Sequence, residues 1–176
     1  MSNEVNATKA NEAPTCLADG TYQPVLTVSD LDRCGRRWML GASIYNYESQ
    51  RAPAVMFATE PALRKIYAGD EEGYRRSLLS TYRYYNATPQ VSGLLLGAGL
   101  ALEDKGHNDA IDAVQDLKIG LMGSLSGVGD TIFAILIPTI FGSIAAYMGQ
   151  AGNPVGVLLW LAVAIDIFVW KLFDCR

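Results

Sequence analysis

The residues best suited to hold a polar ligand stand in ASIYNYESQR, where Asn46, Tyr47, Glu48 and Gln50 fall within five positions. Amide and carboxylate side chains together supply the donors and acceptors that a polyhydroxyl ligand such as a sugar requires. A tyrosine ring adds a flat face for a sugar ring to pack on. The same pattern suits an amphipathic interfacial segment whose polar groups only satisfy backbone, and the residues alone leave both readings open. A second candidate is Asp130, which ends KIGLMGSLSGVGD and precedes the uncharged run Thr131–Ile165. An ionisable group at the mouth of an apolar run is a functional-site candidate. The alternative is a helix cap, with Gly129-Asp130-Thr131 starting the next helix.

Covalent chemistry has no matching constellation. His107 is the only histidine and sits in the polar stretch EDKGHNDA, while Cys16, Cys34 and Cys175 are scattered without a CxxC pair. A zinc site, a Ser-His-Asp or Cys-His nucleophile and a disulfide framework are therefore not expected, and a reducing compartment fits. GSLSGVGD carries neither GxGxxG nor GK[ST], so it is no nucleotide loop. Asp109, Asp112 and Asp116 share a helix face, read as solvated rather than as acid–base machinery. No cofactor and no metal are expected. The net charge of −4 argues against a nucleic-acid partner. Half of the 176 residues are hydrophobic and 18% are charged, below the roughly 25% of soluble domains. Mean hydropathy is +0.15.

Met1 to Val25 is polar, without an apolar period, and reads as a disordered tail with no signal peptide. Ser29, with Asp32 three residues on, predicts a capped amphipathic helix. Leu31, Cys34 and Trp38 lie on one face, opposite Arg33, Arg36 and Arg37. Such a helix lies on a membrane surface or a partner, or exposes its charges on a soluble bundle. Glu60-Pro61 predicts the start of a short helix to Tyr67. Asp70 predicts a cap for a helix from Glu71 to about Tyr85, which Thr88-Pro89 ends. Nine of fourteen Lys and Arg residues lie between Arg33 and Arg83, which by the positive-inside rule places that region in the cytoplasm.

Val91 to Leu102 is uncharged over twelve residues, short of the roughly 20 a spanning helix needs. A re-entrant arm or a buried helix fits it. Lys118 to Gly129 is a second such arm, in which Gly123 and Gly127 form a small-xxx-small pair for close helix contact. Paired short, glycine-interrupted apolar segments point to a transporter binding site. Thr131 to Met148 is long enough to cross a membrane if slightly tilted or partly broken at Pro138, and Asn153-Pro154 separates it from Val155 to Trp170. The expected fold is an all-α membrane protein: a tail (1–25), amphipathic and cytoplasmic helices (26–90), then re-entrant glycine-rich hairpin arms and transmembrane helices (91–176).

GLMGSLSGVGDTIF resembles the signature of the D subunit of the mannose/fructose/sorbose family of bacterial sugar phosphotransferase systems. That signature usually reads GLMGPLAGxGDxIF. Ser124 stands where the family commonly has proline, and Ile137 where members often have arginine. Asn46, Tyr47 and Glu48 resemble the family's SxN[FY]E, with Gln50 one position early for its glutamine. YYNATP resembles FFNTxP, with Asn86 and Pro89 matching. The resemblance implies a membrane subunit that, with a C subunit, binds and translocates a hexose for phosphorylation by a B subunit. The phosphoryl group then travels on the A and B subunits, and this chain does no covalent chemistry. Asn46, Tyr47, Glu48, Gln50, Asn86 and Pro89 become candidate sugar or subunit contacts. Gly120, Met122, Gly123, Gly127, Gly129 and Asp130 become hairpin and gating residues. The implied partners are the C subunit, the cytoplasmic A and B phosphocarriers, a hexose and membrane lipid, in a hetero-oligomer of the bacterial cytoplasmic membrane with a cytoplasmic N-terminus. The chain stops at KLFDCR, before the soluble part and last membrane helix expected of a family member. The alternative is therefore a truncated, non-transporting scaffold that binds a C-like partner.

Overall fold

A computed structural model describes residues 14–41 and 43–173, with side chains through residue 166. The described residues are helical, and their only β pairing is isolated bridges. Helix α1 is Val28–Gly41 and buries Cys34 and Trp38. Its capping box is Thr27 and Asp30 rather than Ser29 and Asp32. The Thr27 N–H donates to Asp30 Oδ2 at 2.8 Å, and the Asp30 N–H to Thr27 Oγ1 at 3.4 Å. Asp30 Oδ2 also takes a bond from Lys65 Nζ at 2.6 Å, so the cap that forms is the one with a tertiary partner.

Helix α2, Ala52–Ile66, runs straight through Glu60-Pro61 instead of starting there. A proline inside a helix leaves the carbonyl four residues back without its donor. That carbonyl belongs to Phe57, and Arg37 Nε donates to it at 2.6 Å. The Arg37 guanidinium also lies 4.1 Å from the Phe57 ring centroid. Helix α3, Glu71–Thr81, is capped as expected, with the Gly73 N–H donating to Asp70 Oδ1 at 2.9 Å. It stops short of Tyr85, which instead joins the loop before α2.

Pro89 begins a helix rather than only ending one. Helices α4 (Pro89–Gly106) and α5 (Ala110–Asp130) fold back on each other around His107, whose φ is +45°. A Cβ at Gly99 would lie 3.1 Å from Val114 Cγ1, a contact that only a hairpin allows between residues so far apart along helices. Helix α4 extends past Leu102 because its acids have partners. Glu103 and Asp104 are buried, and Asp104 accepts the Val25 and Leu26 N–H groups at 2.9 and 3.1 Å. Residues 15–25, read from composition as part of a tail, thus lie against the hairpin turn, where the Tyr22 N–H donates to the Lys105 carbonyl at 2.8 Å. Residues 1–13 lie outside the described residues. His107 is not a solvated loop residue either: it is buried, 3.8 Å from the Tyr22 ring and 5.4 Å from the Tyr67 ring, centroid to centroid.

Past Asp130 the helix continues without a break, through a wide π segment, Thr131–Leu136, into α6, Ile137–Gln150. Of the two options at Pro138, tilt or a partial break, the break does not occur, because the π turns just before it loosen the ladder that a proline would obstruct. Asn153-Pro154 does separate α6 from α7, Val155–Phe173. Gly156 lets these two helices touch: a Cβ there would lie 2.8 Å from Met148 Cβ. Phe141 stacks on Trp160 at 6.2 Å. Among the described residues the stretch Pro89–Gln150, which includes the hairpin, contains a helical window long and apolar enough to cross a membrane. Ile135, Ile140, Leu158 and Leu161 lie exposed on these last helices, as lipid-facing side chains do.

Candidate functional site

After α1 the chain turns back on itself. Asn46 Oδ1 accepts from the Ser49 N–H at 2.7 Å and from Ser49 Oγ at 2.9 Å, and the Asn46 N–H donates to the Gln50 carbonyl at 3.1 Å. Gln50 takes a φ of +56° to close the loop. Its side chain is engaged at both ends: Oε1 accepts from the Tyr45 hydroxyl, and Nε2 donates to the Tyr47 carbonyl at 3.0 Å. Asn46 and Gln50 therefore build the loop, while Tyr47, 92% exposed, and Glu48 project outward from it.

The loop is tied to the segment before α4. The Arg51 N–H donates to the Tyr85 carbonyl at 2.9 Å, and the Tyr85 N–H to the Ser49 carbonyl at 3.3 Å. Asn46 Nδ2 reaches the Tyr82 hydroxyl at 3.5 Å. Tyr85 is fully buried, edge-on to Trp38 at 6.5 Å. Trp38 Nε1 in turn donates to the Pro89 carbonyl at 3.1 Å.

The same segment meets the end of α5. The Asn86 N–H points at Met122 Sδ, 3.0 Å away. Thr88 Oγ1 lies 2.7 Å from Asp130 Oδ1 and 3.1 Å from the Ser126 carbonyl. Ser126 Oγ donates to Asp130 Oδ2 at 3.3 Å. Gly129 makes this approach possible, because a Cβ there would sit 2.5 Å from Thr88 Cβ. Asp130 is not a helix cap, since α5 passes through it into the π segment. Its carboxylate instead binds hydroxyls, one from α5 itself and one from the segment before α4.

Three stretches thus converge: 46–50, 85–89 and 122–130. Gly120, Gly123 and Gly127 stand apart. A Cβ at any of them would meet nothing within 4 Å, so the small-xxx-small pair faces no backbone among the described residues. Thr88 and Ser126 are the site residues that sequence reasoning passed over. The signal for Thr88 was its place before Pro89 in YYNATP; Ser126 carried none beyond the i, i+4 spacing to Asp130. A separate apolar cavity of about 610 Å³ opens between α1 and α4, lined by Leu31, Trp38, Leu94 and Leu100. Of the candidate residues only Pro89 reaches it.

A sequence profile of the mannose/fructose/sorbose family IID component of phosphotransferase systems matches residues 25–175. The chain belongs to that family. The IID match takes in every helix and all three converging stretches. The mannose-specific EIID component of Escherichia coli K12 is 34% identical over 143 residues, which are 80% of this chain and 50% of that protein. The fructose permease IID component of Bacillus subtilis is 31% identical over 126 residues, 70% of this chain and 45% of that one. A solved complex of the mannose transporter ManYZ with microcin E492 contains a chain that superposes with a TM-score of 0.71 at 28% identity, covering 87% of this chain and 57% of that one. This IID chain is a membrane protein, and it spans about half the length of the curated relatives it matches.

Proposed function

We propose that this chain is a membrane subunit of a mannose-type sugar phosphotransferase system, which binds and carries a hexose jointly with a C subunit. The cytoplasmic B subunit phosphorylates the sugar, and the A subunit supplies the phosphoryl group. The chain's own residues hold, orient and release; none moves a phosphoryl group. The observation that carries this reading is the convergence at Asp130. A family signature residue is held by Thr88 and Ser126 at the joint between the hairpin and the long apolar helix. Asp130 remains solvent-exposed, so its outer lone pairs can accept a sugar hydroxyl or a C-subunit donor. Tyr47 and Glu48 are the other free groups on this side of the loop, while Asn46, Gln50, Asn86 and Pro89 shape it. Gly120, Gly123 and Gly127 then form the face on which the C subunit closes, Met122 anchors α5 to the Asn86 segment, and the α4–α5 hairpin is the re-entrant element. The basic stretch from Arg33 to Arg83 and the N-terminus lie in the cytoplasm.

Uptake of labelled hexose tests this in bacteria lacking their own D subunit and supplied with this chain and a C subunit. Asp130→Asn keeps an oxygen acceptor but removes the charge. The expected result is an assembled complex with uptake reduced at least tenfold. Wild-type uptake in that variant would remove Asp130 from the transport site. Assembly without uptake by the unaltered chain would leave it as a non-transporting scaffold.

A further inference from the structure

Two buried charged residues take no part in the convergence at Asp130. Glu103 on α4 is 3% exposed and Lys118 on α5 is 5% exposed. The carboxylate accepts from the Tyr67 hydroxyl at 3.0 Å and from Ser77 Oγ at 2.5 Å. The ammonium donates to the Thr81 carbonyl at 3.2 Å, with the Tyr85 ring 5.7 Å away. Neither forms a direct ion pair among the described residues; the pairs there are Arg37–Glu60, Arg64–Glu60 and Lys65–Asp30.

Both residues line one small cavity of about 20 Å³, together with Thr59, Thr81, Val55 and Val114. A water needs roughly 10–15 Å³ and two to four polar partners. The partners are present. An ammonium has three protons and one is used; an ionised carboxylate has about four acceptor sites and two are used. Thr59 Oγ1 and Thr81 Oγ1 spend their protons on the Val55 and Leu78 carbonyls, at 2.9 and 2.7 Å, which leaves each with lone pairs to accept. Left dry, a cavity lined by both groups would leave donors and acceptors unfilled in a low-dielectric interior, where that is costly.

We propose that this cavity holds one ordered water that bridges the Glu103 carboxylate and the Lys118 ammonium. The water accepts from Lys118 Nζ, donates one proton to Glu103 and gives the other to a threonine hydroxyl. The bridge joins both hairpin arms, through Tyr67, Ser77 and Thr81, to the end of α2 and to α3. The base of the hairpin then moves with those helices as one body, whatever the chain transports.

The decisive experiment is a structure of the full chain at a resolution that shows ordered solvent. The expected result is a peak within hydrogen-bond distance of both charged groups. An empty cavity, or a direct Nζ–carboxylate contact, would overturn the proposal. A thermal-unfolding cycle gives an independent reading. Glu103→Gln and Lys118→Met should each lower the midpoint by several degrees, and the double variant should lose clearly less than their sum. Strictly additive losses would show that the two groups are not linked and would overturn the bridge.

Discussion

The Thr88 hydroxyl lies 2.7 Å from Asp130 Oδ1, and Gly129 lets it come that close. Hydrogen bonds to charged groups contribute about 1.5–3 kcal/mol. Thr88→Val keeps the shape and removes the donor, so it should destabilise the chain by about that amount. Thr88→Ser should keep most of the stability. Thermal unfolding in detergent separates them; equal midpoints for Val and wild type would mean the bond does not form.

Glycine substitutions should divide by position. Gly129→Ala forces a methyl group onto Thr88 and should cost about 1–3 kcal/mol, as overpacking does. Gly123→Ala and Gly127→Ala meet nothing within 4 Å in the chain itself and should raise its thermal midpoint, since alanine is the better helix former by up to about 1 kcal/mol. Copurification with the C subunit then reads whether those two faces are covered in the complex. Unfolding midpoints that fall equally for all three would contradict the geometry.

Arg37 should matter because of Pro61. Arg37→Met removes the donor to the Phe57 carbonyl, leaving a helix acceptor unpaired at a cost of about 1–3 kcal/mol. Pro61→Ala returns an N–H at the right place to fill it. The loss from Arg37→Met should therefore shrink in the Pro61→Ala background. An unchanged loss would assign the arginine's effect to its ion pair with Glu60 or to its contact with the Phe57 ring.

Asp70 sets an acid limb. The Gly73 N–H, and then the Asn108 side chain, hold its carboxyl below the ordinary carboxylate value. A depressed folded-state pKa gives stability that is fully present above the unfolded value and lost as pH falls through the folded one. Unfolding midpoints measured downward from pH 5 should drop more slowly in Asp70→Ala than in wild type. Near neutral pH that variant should be less stable by about 0.5–2 kcal/mol, the usual worth of an N-cap. Parallel acid profiles would rule out this role.

Reading the sequence located what is decided within one or two turns. The Asp70 cap, the division at Asn153-Pro154 and the two glycine-rich arms all follow from φ preferences and hydrogen-bond capacity of adjacent residues. The family signature around Asp130 was legible for the same reason: it is contiguous. The opposite holds wherever a distant partner chose between local options. Thr27 rather than Ser29 caps α1 because Lys65 arrives at Asp30. Pro61 stays inside a helix because Arg37 arrives at Phe57. Residues 15–25 gain order from Asp104 and Lys105, and Thr88 joins the site only because the hairpin returns α5 to it. Glu103 and His107 stand in a polar stretch and Lys118 opens a glycine-rich arm, yet the fold buries all three. Glu103 takes its hydrogen bonds from Tyr67 and Ser77, Lys118 gives one to Thr81, and His107 packs between the Tyr22 and Tyr67 rings; those partners lie far along the chain and have no signature in the residues beside each group.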